Sequence, residues 1–232
     1  MHKRIGIIGG LSPESTVDYY THIFRSYVKR FGDHSYPEII IYSVNFKQIR
    51  DLVDENGWDA VADALIEVGK RLEAAGADFL LLAVNTIHKV YPQIKAGVGM
   101  YVLSIMDAVA DAIEKAGYKT VGLLGTRYTM GEDFYKDALG ERGLNVLVPE
   151  ADEQDYLHTV ILDELCNNIV SNDSRIRILE IMDRLAQQGA EAIVLGCTEL
   201  QLMITEEHTR MPLFDSMALH AEAALNYALE GE

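Results

Sequence analysis

The chain repeats one pattern twice, and this repeat strongly limits the folds that it can adopt. The segment Ile5–Gly9 matches Val121–Gly125 at a spacing of 116 residues, and Gly76–Asp78 matches Gly189–Glu191 at a spacing of 113 residues. Each glycine-led triplet is followed by an apolar run and then by a polar turn. Matches at nearly fixed spacing are typical of duplicated structural units. The sequence therefore predicts two related halves.

We place the first half at residues 1–100 and the second half at residues 101–210. The remaining stretch, 211–232, contains a short apolar run and an amphipathic segment, and we expect it to return and complete the first half. Domains of about 100 to 120 residues are ordinary in size, so a chain of 232 residues suits two of them.

Short apolar runs alternate with helical periodicity along both halves. Apolar residues recur every three or four positions in 58–75 and in 174–188, which predicts helices that end before Gly76 and Gly189. The runs between such helices are continuously apolar, as in parallel strands buried on both faces. The predicted strands are Arg4–Ile8, Glu38–Val44, Asp78–Val84, Val102–Leu103, Thr120–Leu124, Asn145–Val148, Ala192–Leu195 and Leu213–Phe214. The fold class is therefore α/β with parallel sheets.

Charge and composition exclude several classes of protein. The chain has 36 acidic and 20 basic residues, a formal charge of −16, so it lacks the basic surface that binds nucleic acid or anionic membranes. No apolar run approaches the length of a membrane span, and the N-terminus lacks a signal-peptide core, so we expect a cytoplasmic protein. The two cysteines, Cys166 and Cys197, predict neither a disulfide framework nor a zinc site.

Four turns follow predicted strands, where open parallel sheets bind ligands. In the first, Gly9–Thr16, Ser12 is a candidate N-cap and Pro13 suits the first helical position, so free backbone amides there favour an anion. Neither G-x-G-x-x-G nor a phosphate-loop motif is present, which argues against nucleotide binding. The second turn, 125–129, is the repeat partner of the first.

The second turn admits two interpretations. Thr129 and Glu132 have the spacing of a capping box for the following helix, which is a structural role. Thr126 is also a candidate hydroxyl donor to a bound carboxylate, which is a functional role.

The third turn is 85–88 and the fourth is 196–199. We expect Cys197 to open a helix, where the free amides would lower the pKa of its thiol. Cys166 lies in the middle of a predicted helix, and we interpret it as a packing residue.

Together these turns resemble those of the aspartate/glutamate racemase family. The matching segments are G-G-L-S-P-E-S-T at 9–16, N-T-x-H at 85–88, L-L-G-T-x-x-T at 123–129, G-C-T-E at 196–199 and F-D-S at 214–216. They occur in the family's order and spacing over nearly the whole chain. The segments G-T-R-Y-T-M at 125–130 and P-E-A-D at 149–152 resemble the bacterial aspartate/glutamate racemases most closely.

The resemblance implies two pseudo-symmetric α/β halves with the active site in the cleft between them. It implies racemisation of aspartate or glutamate without a cofactor: one cysteine thiolate removes the α-proton and a second thiol protonates the opposite face. No pyridoxal group, and so no Schiff-base lysine, is needed. It also implies a homodimer. The implied donors to the substrate carboxylate are Asn85, Thr86, Thr126, Thr129 and Thr198, with Ser12 a weaker candidate.

The sequence departs from the family where the first catalytic cysteine should stand. That position, directly before Asn85, is Val84, and the internal repeat also pairs Val84 with Cys197. Valine carries no exchangeable proton, so a mechanism with two thiols is impossible. His88 is a possible substitute acid or base, although its place in the N-T-x-H motif equally suits a structural role.

A cation is expected for the side-chain carboxylate of an acidic substrate. Lys47 and Arg50 follow a predicted strand of the first half, and Arg127 lies in the second turn. Each of them is equally compatible with ordinary solvated surface charge.

Three hypotheses follow from one thiol opposite a valine. The first is a racemase of an acidic amino acid in which Cys197 is the surviving thiol, and water, His88 or the substrate ammonium supplies the second proton. The second is a single-thiol enzyme similar to the malonate decarboxylases of the same superfamily. The third is an amino-acid-binding relative without catalysis.

Overall fold

Two four-stranded parallel sheets form the framework, each within its own compact unit. The structure is a computed structural model that describes residues 2–230. The first unit runs to Ile105 and also includes the chain from His220 onward, and the second unit comprises Met106–Leu219. The predicted α/β class with parallel sheets is confirmed.

The first unit has the strand order β2-β1-β3-β4, with every neighbouring pair parallel. A short 3₁₀ helix, Thr86–Val90, follows the third strand. The strands and α-helices up to the fourth strand are β1 (Ile5–Gly9), α1 (Pro13–Phe31), β2 (Ile39–Ser43), α2 (Phe46–Asp54), α3 (Trp58–Ala74), β3 (Phe79–Leu82), α4 (Tyr91–Gly97) and β4 (Tyr101–Leu103).

The second unit has the equivalent order β6-β5-β7-β8, again entirely parallel. Its elements are α5 (Ile105–Ala116), β5 (Thr120–Gly125), α6 (Arg127–Gly131), α7 (Asp133–Gly140), β6 (Asn145–Leu147), α8 (Ala151–Thr159), α9 (Asn172–Gln187), β7 (Ala192–Gly196), β8 (Leu213–Asp215) and the start of α10 (Ser216–Leu229). The two units therefore share one topology, as the internal repeat predicted.

Burial explains why the apolar runs become strands. Every residue of β1, β3 and β7 is buried, which is the environment of a parallel strand covered on both faces. The predicted helices are present as α3 and α9, each with an apolar face turned into its unit. Gly76 and Gly189 follow them with φ values of +94° and +106°, a conformation that glycine adopts without strain.

The division of the chain differs from the expected one at two short strands. β4 pairs with β3, so residues 101–103 extend the first sheet, whereas the sequence predicts them in the second half. β8 pairs with β7, so 213–215 completes the second sheet, whereas only the later part of α10 belongs to the first unit. A strand of three residues carries too little pattern to identify its neighbour. Residues 1, 231 and 232 of the expected ranges lie outside the described part.

The helices offer no membrane span. Among residues 2–230, none of them combines the length and apolar character that crossing a bilayer requires.

Candidate functional site

In the first unit, the turn after β1 lies tightly against the end of β2. Gly10 has a φ of +81°, and a Cβ there would lie 2.5 Å from the carbonyl oxygen of Val44. The Gly10 N–H donates to Thr16 Oγ1 at 2.8 Å. Ser12 caps α1 by accepting from the Ser15 N–H at 3.3 Å, as predicted, and the first residue of the helix is a proline.

A side-chain hydrogen bond links this turn to the one after β3. Ser15 Oγ donates to the carbonyl oxygen of Ala83 at 3.0 Å, across two neighbouring strands. Asn85 is buried, and Val84 and Thr86 are half-buried. Ser12 and the N-T segment therefore lie along one edge of the first sheet, where its strands end.

His88 has both ring nitrogens engaged by the backbone. Nε2 accepts from the Ile105 N–H at 3.2 Å, and Nδ1 lies 2.8 Å from the carbonyl oxygen of Val84. The acceptor role of Nε2 requires the proton to be on Nδ1, which then donates to Val84. Burial lowers the pKa of His88 from 6.5 to about 4, so the ring is neutral. In this arrangement, His88 holds the carbonyl that precedes the N-T segment.

A second buried imidazole has the opposite tautomer. His220 Nε2 donates to the carbonyl oxygen of Leu103 at 3.1 Å, and its Nδ1 accepts from Tyr19 Oη at 2.8 Å. The ring lies 5.8 Å from that of His88, in an edge-to-face arrangement. Burial first, and then the neighbouring His88, lower its pKa to about 3. The two histidines thus tie α1, β4 and the 3₁₀ helix to each other.

In the second unit, Thr126 is the helix cap. Its oxygen accepts from the Thr129 N–H at 3.3 Å, and the two hydroxyl oxygens are 3.2 Å apart. The predicted capping box of Thr129 with Glu132 is therefore wrong, because α6 already begins at Arg127 and Glu132 is the N-cap residue of α7. Thr129 is fully buried within α6.

The turns after β5 and β7 are in close contact. A Cβ on Gly196 would lie 2.8 Å from the carbonyl oxygen of Leu124 and 3.2 Å from Cγ2 of Thr129. Only a residue without a side chain allows this approach. The Thr126–Thr129 pair therefore borders the G-C-T-E segment on the second sheet.

Cys197, Thr198 and Glu199 form a buried hydrogen-bonded cluster at that edge. The thiol of Cys197 donates to Glu199 Oε2 at 3.0 Å, and the hydroxyl of Thr198 donates to the same oxygen at 2.7 Å. The three residues are 8%, 7% and 7% exposed. One carboxylate oxygen thus accepts from two side chains in a site with little solvent.

The predicted helix at Cys197 is wrong. A turn follows β7, and the next helical element is a 3₁₀ helix of three residues, Leu200–Leu202. Burial, and next the negative charge of Glu199, raise the pKa of the Cys197 thiol well above its ordinary value. Cys197 therefore rests as a protonated thiol. Cys166 lies in a different 3₁₀ turn, half-buried against the apolar core of the second unit.

The three candidate cations each have an acidic neighbour. Lys47 lies 2.5 Å from Asp51 with 80% of its side chain exposed, and Arg50 lies 3.7 Å from Asp54. Arg127 lies 3.8 Å from Asp155, and its backbone N–H donates to His158 Nδ1 at 3.5 Å. The ion pairs of Arg50 and Arg127 are therefore both long, and only that of Lys47 is short.

Metal ligands do not cluster in the described residues. Between residues 2 and 230, no three His, Cys, Asp or Glu side chains are grouped as metal binding requires.

Comparison with known proteins assigns the family. The model of the Asp/Glu/Hydantoin racemase family matches residues 8–224, nearly the whole chain and all four turns described above. The chain belongs to this family. The resemblance seen in the turn motifs is thereby confirmed.

Several proteins are similar to this racemase-family chain over nearly its full length. The broad specificity amino-acid racemase RacX of Bacillus subtilis is 25% identical over 225 residues, 96% of each protein. A crystal structure of a candidate Asp/Glu racemase from Yersinia pestis has a TM-score of 0.92 and 38% identity, covering 98% of this chain and 100% of that one. An aspartate racemase homologue from Pyrococcus horikoshii has a TM-score of 0.87 and 39% identity, covering 99% and 100%.

Two groups near the racemase-family motifs escaped the sequence analysis. Glu199 is part of the G-C-T-E segment, but a glutamate after a turn looks like a surface residue until its burial is known. His220 lies in an alanine-rich helix far from the motifs, and only the fold brings it beside His88. The apolar periodicity around His220 could have identified it, because this periodicity places the imidazole ring on the buried face of the helix.

Proposed function

We propose that this chain racemises an acidic amino acid, aspartate or glutamate, by proton transfer at the α-carbon through Cys197. The observation that carries the proposal is the buried thiol of Cys197, hydrogen-bonded to a carboxylate in the family's G-C-T-E turn. A thiol needs no cofactor to act as an acid or a base. The proposed reaction is therefore independent of cofactors.

The acidic substrate is supported by the names of two relatives and by the polar groups around the turns. The similar structures are described as an Asp/Glu racemase candidate and an aspartate racemase homologue. Hydrogen-bond donors would hold the α-carboxylate and stabilise the enolate-like charge that develops on it. The donors that we propose are Ser12, Asn85, Thr86, Thr126, Thr129 and Thr198, the last through its backbone N–H because its hydroxyl donates to Glu199.

For the side-chain carboxylate we propose Arg127. It directly follows the capping Thr126, and at 3.8 Å its contact with Asp155 is weak enough to be exchanged for a substrate carboxylate. Lys47 is held by Asp51 at 2.5 Å. Arg50 has a contact with Asp54 nearly as long as that of Arg127, 3.7 Å, so Arg127 is preferred for its place beside Thr126 and not for its ion pair.

A single thiol accounts for proton exchange on one face of the α-carbon only. Val84 cannot donate a proton, and both nitrogens of His88 are engaged by backbone groups. The proton for the other face would therefore come from water or from the ammonium group of the substrate. We expect inversion to be slower than exchange at the α-carbon. In exchange, the thiol of Cys197 both removes the α-proton and returns a proton to the same face. In inversion, the returning proton comes from a group that the protein does not position.

The test is exchange in deuterium oxide. The protein is incubated separately with L- and D-aspartate, L- and D-glutamate, and L-alanine as a neutral comparison. Proton NMR follows loss of the α-proton, and chiral chromatography follows inversion. We expect exchange with slower inversion for an acidic amino acid, and loss of both in Cys197→Ser, which replaces the thiol by a hydroxyl that transfers protons poorly near neutral pH.

Three outcomes would count against the proposal. Exchange that persists in Cys197→Ser would remove the thiol from the mechanism. Exchange with complete retention in the wild type would indicate a one-base enzyme instead of a racemase. Binding of the amino acids without any exchange would leave a binding protein.

We also propose a homodimer, on the basis of an apolar strip along α1. The strip consists of exposed residues spaced three or four positions apart, so that they share one helix face. It lies in the same unit as β2, an edge strand of the first sheet. Contiguous exposed apolar surface of this kind marks contact sites. The residues of the α1 apolar strip are Val17, Tyr20, Phe24, Val28 and Phe31.

A further inference from the structure

We propose that Glu199 is the base that takes the proton of the Cys197 thiol, so that the two side chains act as one proton-transfer pair. The inference rests on the proposed function, because it assigns a role within that reaction. It goes beyond the family's pair of thiols, which this chain cannot form.

The geometry of the carboxylate is the first argument. The thiol of Cys197 donates to Glu199 Oε2 at 3.0 Å, so transfer of the proton from sulfur to oxygen needs no movement of either side chain. The hydroxyl of Thr198 donates to the same oxygen at 2.7 Å and fixes its position. A base must lie within hydrogen-bond distance of the proton that it removes, and Glu199 meets this requirement.

The absence of a helix at Cys197 is the second argument. Resting as a thiol, Cys197 must lose its proton before it can remove one from an α-carbon. The turn after β7 leads only into a 3₁₀ helix of three residues, so a row of helix-end amides is not available. One backbone N–H, that of Glu199, favours the thiolate, but burial and the Glu199 charge outweigh it and keep the pKa of the thiol raised. A carboxylate in contact with the thiol accepts its proton directly.

Charge conservation is the third argument. The step is Cys–SH plus Glu–COO⁻ giving Cys–S⁻ plus Glu–COOH, so the pair has one negative charge before and after. A buried site then avoids the cost of creating a new charge away from water. The thiolate next takes the α-proton and leaves the electron pair on the substrate carbanion. Protonation of that carbanion by the thiol, and return of the Glu199 proton to Cys197, restore the starting state.

The experiment uses the full-length protein with Cys166→Ala as background, which leaves Cys197 as the only thiol. Glu199→Gln is the main variant, because an amide keeps the shape and accepts hydrogen bonds but takes up no proton. Two quantities are measured: the pH dependence of thiolate formation, from its ultraviolet absorbance and its alkylation by iodoacetamide, and the rate of α-proton exchange. The titrating groups whose charge raises the pKa of the thiol are Glu199 and, in the unmodified protein, Cys166.

The two quantities should move in opposite directions in Glu199→Gln. Removing the adjacent negative charge should lower the thiol pKa by about one unit or more, and so raise alkylation near neutral pH about tenfold. Losing the base should lower α-proton exchange by about 100-fold or more. Glu199→Asp, which keeps a carboxylate on a shorter side chain, should recover part of the exchange.

Each alternative outcome decides the question. Exchange that rises together with the thiolate fraction would show that Glu199 only hinders ionisation, which overturns the proposal. An unchanged alkylation profile would show that the two groups are not coupled, with the same consequence. If the wild type exchanges no amino acid, the proposed function fails, while a lowered thiol pKa in Glu199→Gln still supports the Cys197–Glu199 pair.

Discussion

Val84 occupies in the first half of the repeat the position that Cys197 occupies in the second. The two residues follow equivalent strands, β3 and β7, of sheets with the same strand order. Their surroundings differ in chemistry: Val84 packs against the apolar core of its unit, whereas Cys197 contacts Thr198 and Glu199. In the proposed reaction, the valine of the first unit therefore leaves proton transfer by a thiol to the second unit.

Restoring the missing thiol should increase inversion. We expect Val84→Cys to raise the rate of racemisation of the acidic substrate by about 100-fold, the lower range of what a positioned acid or base contributes. Exchange on the face served by Cys197 should change little. Chiral chromatography of separate incubations with L-aspartate and with D-aspartate measures inversion, and NMR in deuterium oxide measures exchange.

Val84→Ala is the matched control, because it removes apolar volume without adding an acid. Its rate of inversion should stay at the wild-type level, and its free energy of unfolding should decrease by about 1 kcal/mol or more through lost packing. Equal inversion rates in the cysteine and alanine variants would mean that position 84 takes no part in proton transfer.

Stability should depend on pH through the two buried histidines. Their pKa values are lowered from 6.5 to about 4 for His88 and to about 3 for His220, so between these limits the unfolded chain binds protons that the folded protein does not. The free energy of unfolding should therefore fall as the pH decreases from 6.5 toward 4, by roughly 3 kcal/mol for His88 alone. Urea unfolding at several pH values measures this slope.

The variant His220→Gln removes one of the two titrating rings, so its slope between pH 6.5 and about 4 should be clearly smaller than that of the wild type. Nitrogen NMR of the wild type should find the ring proton of His88 on Nδ1 and that of His220 on Nε2. Titration of His88 near neutral pH, or the reverse tautomers, would contradict this arrangement.

At the level of single residues, the sequence predicted where a residue lies in its element better than it predicted which groups surround the side chain. Ser12 caps α1 as expected, because a cap depends on local neighbours. The predicted environment of Cys197 is wrong. A helix terminus would have lowered the pKa of its thiol, whereas burial and the charge of Glu199 raise that pKa. Burial of Glu199 and the contact between His88 and His220 are set by tertiary structure, which no local pattern encodes.

At the level of elements, all eight predicted strands are present. Continuous apolar runs identify strands that are buried on both faces, and β1, β3, β5 and β7 are of this kind. The assignment of β4 and β8 to sheets failed. Each has three residues, and its neighbour is decided by the path of the preceding connection and not by its own composition.

The turn between β1 and α1 is the element-scale feature most sensitive to substitution. We expect Gly10→Ala to lower the free energy of unfolding by about 3 kcal/mol or more. Its φ of +81° already disfavours a side chain by about 1 to 2 kcal/mol, and the new Cβ would lie 2.5 Å from Val44 O, where strand-end backbone cannot move easily. Denaturant unfolding monitored by circular dichroism measures the loss.

Gly32→Ala is the matched control for Gly10. Gly32 also has a positive φ, +68°, but nothing lies within 4 Å of a Cβ placed there. It should therefore lose only the backbone term of about 1 to 2 kcal/mol. Equal losses in the two variants would show that the contact with Val44 relaxes freely.

At the level of the whole molecule, the charge of −16 opposes the proposed substrate. A dicarboxylate is repelled by a net negative surface, so its recognition has to come from local groups: the hydroxyl donors of the turns, the amide of Asn85 and a cation such as Arg127. Screening by salt weakens the long-range repulsion more than these short contacts. The net charge therefore serves solubility and does not report the ligand.

The same charge makes the proposed dimer sensitive to salt. Two copies together have a charge of 2 × (−16) = −32, so association through the α1 apolar strip must overcome repulsion. We expect the dimer to tighten as ionic strength rises from about 0.05 to 0.5 M, because the screening length shortens from roughly 14 to 4 Å. Analytical ultracentrifugation over a range of protein concentrations measures the dissociation constant.

Charge-matched variants locate the contact. Phe24→Asp places a charge within the α1 apolar strip and should shift the protein toward monomer, by a factor of about 100 in dissociation constant, because a buried unpaired charge in each copy opposes association. Ile176→Asp, at an exposed apolar position of α9, adds the same charge elsewhere and should leave the dimer nearly unchanged. Equal weakening by both variants would assign the effect to net charge, and a monomer under all conditions would exclude the dimer.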